Sequence, residues 1–233
     1  LTDATSKFRV MFKETGEYDV LVQMVTFDGN VVISENATTI EVKDTIAPVA
    51  SYKIGTGDWE SFGTSTTYET FSKEELSVEI KAEDSGSGIA SVQYYVAPGE
   101  ILDVSYIPGW TDYTEAITLN ADRTYVIYVK VTDKGGNEVI LNSEGIVIYE
   151  DSEITTPELT HTYKEEADEE AVLNLNANTF AKITDAEGTE LVRNADYIVT
   201  ENSGTLSIEM QSEYLATLDA GEHTYYVSVN PQG

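Results

Sequence analysis

Carboxylates are the groups this chain could use for chemistry. The 233 residues hold 42 Asp+Glu against 13 Lys+Arg, with two histidines and no cysteine, for a formal net charge of −29. Without cysteine there is no thiol nucleophile, no thiolate zinc site and no disulfide scaffold. His161 and His223 lie far apart in sequence, and neither has a second histidine at metal-ligand spacing. No G-x-S-x-G elbow, G-x-G-x-x-G loop or H-E-x-x-H pair occurs. A glycosidase needs one carboxyl of raised pKa in a cleft. Among this many acids, proximity alone would not identify it. The chain therefore reads as non-catalytic. So acidic a surface repels phosphate, which excludes nucleic acid as a partner. No apolar run approaches the ~18 residues of a membrane span.

The elements that must position these acids are strands. Leu76-Ser-Val78-Glu-Ile80-Lys-Ala82 and Tyr125-Val-Ile127-Tyr-Val129-Lys-Val131 alternate with period two, the pattern of half-buried antiparallel sheet. The phase puts Leu76, Val78, Ile80, Val92, Tyr94, Ile127 and Val129 in one core, and Lys81 and Lys130 outside. Turn residues punctuate the strands at Asp28-Gly-Asn30, Asp84-Ser-Gly-Ser-Gly88, Pro98-Gly99 and Asp133-Lys-Gly-Gly-Asn137. Gln211–Leu218 alone carries a short helical pattern, with Tyr214, Leu215 and Leu218 on one side. The fold class is all-β, as tandem sandwiches.

An internal repeat supports the tandem arrangement. Tyr18 to Asn30 aligns with Tyr125 to Asn137: a tyrosine, an alternating strand, a Gly-Asn turn and a further strand. A fainter third copy begins at Gly221-Glu-His. Lys43–Pro48 and Asp151–Pro157 read as extended linkers. The boundaries expected are 1–43, 44–150 and 151–233. The first segment has about three strands, too few to bury a core, and reads as the C-terminal part of a module.

Residues 44–150 resemble a bacterial immunoglobulin-like repeat of secreted and cell-wall proteins. The resemblance rests on Asp44-Thr-Ile-Ala-Pro48, Ala82-Glu-Asp84, Ser87-Gly-Ile89, Val92-Gln-Tyr-Tyr95, Trp110 with Tyr113, and Tyr125 through Asn137. Residues 1–43 look like the tail of a PKD-like or Ig-like module, through Phe12–Tyr18 and Asp28-Gly-Asn30. Residues 158–233 are similar to X-type Ig-like modules attached to glycoside hydrolases, through Leu191–Tyr197, Leu206-Ser-Ile208, Tyr214–Leu218 and Gly221-Glu222. The resemblance implies a bacterial extracellular, secreted or wall-attached protein, and no reaction.

An Ig topology brings the start of the first strand, the end of the second and the last hairpin to one end. That end would gather Asp44, Asp84, Asp133 and Asn137, which are the calcium candidates; no other cofactor is expected. Asp and Asn before glycine are also ordinary turn formers, so both readings stand. Tyr95 and Tyr128 fall on the outer strand phase and are the candidates for stacking on a sugar. Trp110 reads as a plug at the sandwich edge, and Tyr18 or Tyr125 as a structural tyrosine corner. The function expected is non-catalytic spacing or presentation, as an accessory region of a carbohydrate-active enzyme, with neighbouring domains of the same chain as partners. The alternative is an adhesin contacting a host protein or glycan.

Overall fold

The computed structural model describes residues 9–33 and 37–231. Strand makes up 49% of it and helix 3%, arranged as an all-β sandwich fold. The first strands are β1 (Gly16–Val20), β2 (Gln23–Val25), β3 (Val31–Ile33) and β4 (Thr38–Val42). They pair only as β1 with β4 and β2 with β3. Four short strands therefore stand where about three were expected. None of the described residues from 9 to 42 is buried, as expected of a segment too small to enclose apolar surface.

Ten strands follow: β5 (Val49–Ile54), β6 (Trp59–Ser61), β7 (Tyr68–Ser72), β8 (Leu76–Glu83), β9 (Ile89–Ala97), β10 (Thr111–Asp112), β11 (Ile117–Leu119), β12 (Arg123–Asp133), β13 (Glu138–Asn142) and β14 (Gly145–Ile148). One sheet has the order β11-β8-β5-β6; the other runs β10-β9-β12-β14-β7, with β13 also on β12. The pairings are antiparallel except β7 with β14, which is parallel. Strand β12 is 11 residues long and serves three partners. Its start pairs with β14, its end with β13, and nearly its whole length with β9.

The inward phase is as the alternation predicts. Val78, Ile80, Tyr125, Ile127, Val129 and Val131 are buried in one cluster, with Leu76, Val92 and Tyr94 packed against it. Tyr125 Oη donates to the carbonyl of Asn120 at 2.9 Å, and Tyr18 Oη donates to that of Glu14 at 2.9 Å. Both are the upstream backbone bonds of a tyrosine corner. Where β13 gives way to β14, Ser143 is fully buried, and its Oγ accepts from Ile127 N at 2.9 Å. The side chain thereby supplies a ladder bond that the departing strand no longer makes.

The remaining elements are β15 (Glu153–Ile154), β16 (Glu169–Asn174), β17 (Thr179–Asp185), β18 (Tyr197–Asn202), β19 (Thr205–Met210), α1 (Ser212–Leu215) and β20 (Tyr225–Asn230). They form a sheet β15-β16-β19-β18 and a pair β17-β20. A separate core lies between, including Leu173, Ile183, Tyr197, Leu206 and Ile208. Helix α1 falls within the one segment that carried a helical pattern. Leu215 is buried in that core, with Tyr214 and Leu218 packed against it.

Truncating Ile127 to alanine leaves a cavity in a closed core and should cost about 2–5 kcal/mol. Lys130 lies outside that core with its Nζ 5.1 Å above the Trp110 ring, so Lys130→Ala should cost about 0.5–1 kcal/mol. Urea denaturation of the two variants should rank them in that order. The reverse order would invert the inside and outside of β12.

Candidate functional site

Three carboxylates meet at one end of the β5–β14 sandwich. Asp44 precedes β5, Asp84 ends the run out of β8, and Asp133 closes β12. One carboxylate oxygen from each lies within 4.8 Å of the others. Asp133 is 2% exposed. Among the described residues, no lysine, arginine or histidine makes an ion pair with any of the three.

Each acid is held by its loop. Asp84 Oδ2 accepts from the N–H groups of Gly86 and Gly88, at 3.0 and 2.7 Å. Asp133 Oδ1 accepts from Asn137 N at 2.8 Å, and Oδ2 from Asn137 Nδ2 at 2.7 Å. These bonds are the turn chemistry the sequence predicts. Asp44 does something a local turn does not require. Its Oδ1 accepts from Ile46 N at 3.0 Å, while Oδ2 reaches across to Ser87 N at 2.7 Å. The Ile46 N–H, with Ser87 second, holds the Asp44 carboxyl below its ordinary value. Asn137 meets the cluster with its amide nitrogen, which also reaches the carbonyls of Asp44 and Ile46 at 3.2 and 3.4 Å. Its part is to position the acids. The other oxygen of Asp84, Oδ1, is shut off from solvent and has no hydrogen-bond partner.

The close approach depends on two glycines, Gly86 and Gly135, that the sequence reading places only as turn residues. A Cβ at Gly86 would stand 2.4 Å from Asp44 Oδ2, and one at Gly135 would stand 2.9 Å from Asp44 Cβ.

The tyrosine candidates lie elsewhere, and one corrects the expectation of an open outer face. Tyr128 is on the outer phase but only 2% exposed. The excursion after β9 folds back over it, so Ala97, Ile107, Val126 and Tyr128 form a second buried cluster, with Tyr95, Ile101 and Trp110 packed against it. Tyr128 Oη accepts from Ile101 N at 2.6 Å. Tyr95 is half-buried there. Trp110 caps this outer cluster. The alternation fixed the side each residue faces but not what covers it.

A groove of about 840 Å³ opens between the segment after β15 and the start of β20, floored by Ile183, Ile208 and Met210. Both histidines line it. His161 Nδ1 lies 3.2 Å from Glu169 Oε1, and its Nε2 is buried without a partner. Only the strand order brings the two histidines together, so their spacing gave no sign of it.

Comparison with known proteins bears on this module and on much of the rest of the chain. Residues 154–231 match the family model described as "Carbohydrate binding domain X2". Over 183 residues, 74% of its length, the chain is 30% identical to "Cellulose-binding protein A" of Clostridium cellulovorans, and it spans 9% of that protein. Two solved structures of titin domains also match. One is a chimeric titin Z1Z2 functionalised with a KLER exogenous peptide from decorin, with TM-score 0.23 and 10% identity, covering 70% of this chain and 83% of that one. The other is titin Z1Z2 in complex with telethonin, with TM-score 0.22 and 11% identity, covering 72% and 83%. Scores this low carry no argument.

The Gly86 backbone is not in the left-handed region, so Gly86→Ala tests space alone. The methyl group would displace a carboxylate held by two N–H groups, at a cost of about 1–3 kcal/mol. A urea midpoint equal to that of the parent would mean Asp44 is not locked against Gly86.

Proposed function

We propose that the chain is a non-catalytic accessory segment of a large bacterial extracellular, carbohydrate-associated protein. Its modules, over 1–43, 44–150 and 151–233, space and present the domains beside them. The match of residues 154–231 to a carbohydrate-binding family supports the carbohydrate-associated, accessory part of this reading. The 30% identity to a cellulose-binding protein over most of the chain agrees with it.

Four carboxyl groups are tuned toward the charged form. Among the described residues, the carboxyl groups of Asp28, Asp44, Asp103 and Glu144 are held below their ordinary values. Hydrogen bonds that favour the charged form cause each shift, chiefly from Thr26, Ile46, Ser105 and Thr67 respectively. A general acid for glycoside cleavage needs the opposite shift. The net charge of −29 keeps such a segment soluble and disfavours unspecific adhesion. Among the described residues, no helix is long and apolar enough to cross a membrane.

The test is to incubate the purified chain with insoluble cellulose, then assay both the supernatant protein and released reducing sugar. The spacer reading predicts that the chain stays in solution and releases no sugar. Sugar release would overturn the non-catalytic assignment. Saturable depletion of the chain, lost when exposed Trp59 or Tyr163 is replaced by alanine, would overturn spacing in favour of direct glycan binding.

A further inference from the structure

We propose that residues 149–152 form a rigid elbow, locked by Asn176 and Asn178, which fixes the direction in which the β15–β20 unit leaves the β5–β14 sandwich. This deepens the spacer reading and rests on it for its purpose, since a segment that presents its neighbours gains from a set direction.

Asp151–Pro157 reads in sequence as an extended linker, and domains joined by such a segment ordinarily move relative to one another. The structure leaves no slack there. Strand β14 ends at Ile148, which is fully buried, and β15 already pairs with β16 at Glu153. Each residue between them is held. Tyr149 N donates to Ser72 O at 2.9 Å, continuing the β7–β14 pairing. Glu150 N donates to Asn176 O at 3.1 Å, already in the next unit. The Asp151 carbonyl accepts from Asn176 Nδ2 at 2.7 Å, while its carboxylate pairs with Lys73 of the preceding sandwich. Lys73 Nζ also lies 5.6 Å from the centre of the Tyr149 ring. Ser152 Oγ donates to Leu175 O at 2.8 Å. The chain passes directly from the hydrogen bonds of one unit to those of the other.

Asn178 closes the joint. It is 3% exposed. Its Nδ2 donates to Glu150 O at 2.7 Å and to Leu175 O at 2.8 Å, which uses both amide protons. Ser152 Oγ lies 3.1 Å from the same nitrogen. One bond goes to the linker and the other to the turn that carries Asn178. Removing the donor would leave buried carbonyls without a partner, a costly state. An aspartate has no such proton. In a chain with 42 acidic residues, the two side chains that face the linker carbonyls are amides.

The backbone points the same way independently. Asn176 and Ala177 have φ of 50° and 63°. Asparagine tolerates this left-handed region, but alanine seldom enters it. The turn closes through Asn178 N to Leu175 O at 3.0 Å, and Leu175, 1% exposed, anchors it in the core of the β15–β20 unit. A strained conformation persists where the surroundings impose it. Here it aims both asparagines at residues 150 and 151.

The experiment measures the angle as a distance. The chain has no cysteine, so Thr118→Cys on β11 and Thr200→Cys on β18, both exposed, supply one spin label on each side of the elbow. Pulsed electron spin resonance should give a single narrow distance distribution. Asn178→Asp and Asn176→Asp each replace the donor with an acceptor of nearly the same shape. Each should broaden the distribution by about twofold or more, as a freed joint samples more orientations. Asn194→Asp adds the same charge in another left-handed turn and should leave it unchanged. If the Asn178 variant does not fold, Asn176→Asp decides alone. A broad distribution in the parent, or an unchanged width in the folded aspartate variants, would overturn the elbow. Depletion of the chain by cellulose would overturn the spacer reading and leave the elbow standing, so the two can fail separately.

Discussion

The alternation of β12 is the constraint on which the rest of the β5–β14 sandwich depends. Its inner residues Tyr125, Ile127, Val129 and Val131 belong to the main core, and its outer residues Val126 and Tyr128 to a second one. Its last residue is Asp133. Period two allows no compromise: a slip of one residue would exchange the two faces. It would put Lys130 in the main core and turn Asp133 away from Asp44 and Asp84. Register in this strand therefore sets the core, the covering of the outer face and the geometry of the acidic end together.

Charge shapes the molecule differently at its surface and at that end. Dispersed over strands and loops, an excess of carboxylates costs little, because water and salt screen it. Exposed pairs such as Lys43–Glu41 and Lys182–Glu190 contribute little for the same reason. Crowded at the end of the β5–β14 sandwich, three of the same groups lose part of that screening. One is almost wholly buried, and one has an oxygen without a partner. Hydrogen bonds from the loops fix their orientation but add no positive charge.

Much of this was legible in the sequence, because strand alternation and turn residues are local signals. The seven core positions, the tyrosine corners at Tyr18 and Tyr125 and the short helix at Ser212–Leu215 follow from neighbours in the chain. So does the convergence of Asp44, Asp84 and Asp133, once the topology is assumed. What the sequence hid depends on distant segments meeting. Tyr128 was phased outward correctly, but the chain that covers it comes from Ile101 and Ile107. The parallel pairing of β7 with β14, the packing of the turn glycines Gly86 and Gly135 against Asp44 and the groove shared by His161 and His223 have no local signature. Identical residue types at those places in another topology would do none of this.

The central claim is that β12 binds two cores and the acidic end into one cooperative unit. Native-state hydrogen exchange measures this most directly, since amides that open only with global unfolding share the largest free energy. The account predicts that Ile127, Tyr128 and Val129 are the slowest amides of the β5–β14 sandwich and exchange together, with Asn137 N, which bonds to Asp133, close behind. Faster exchange of these amides than of those in the β5–β6 pair would contradict it.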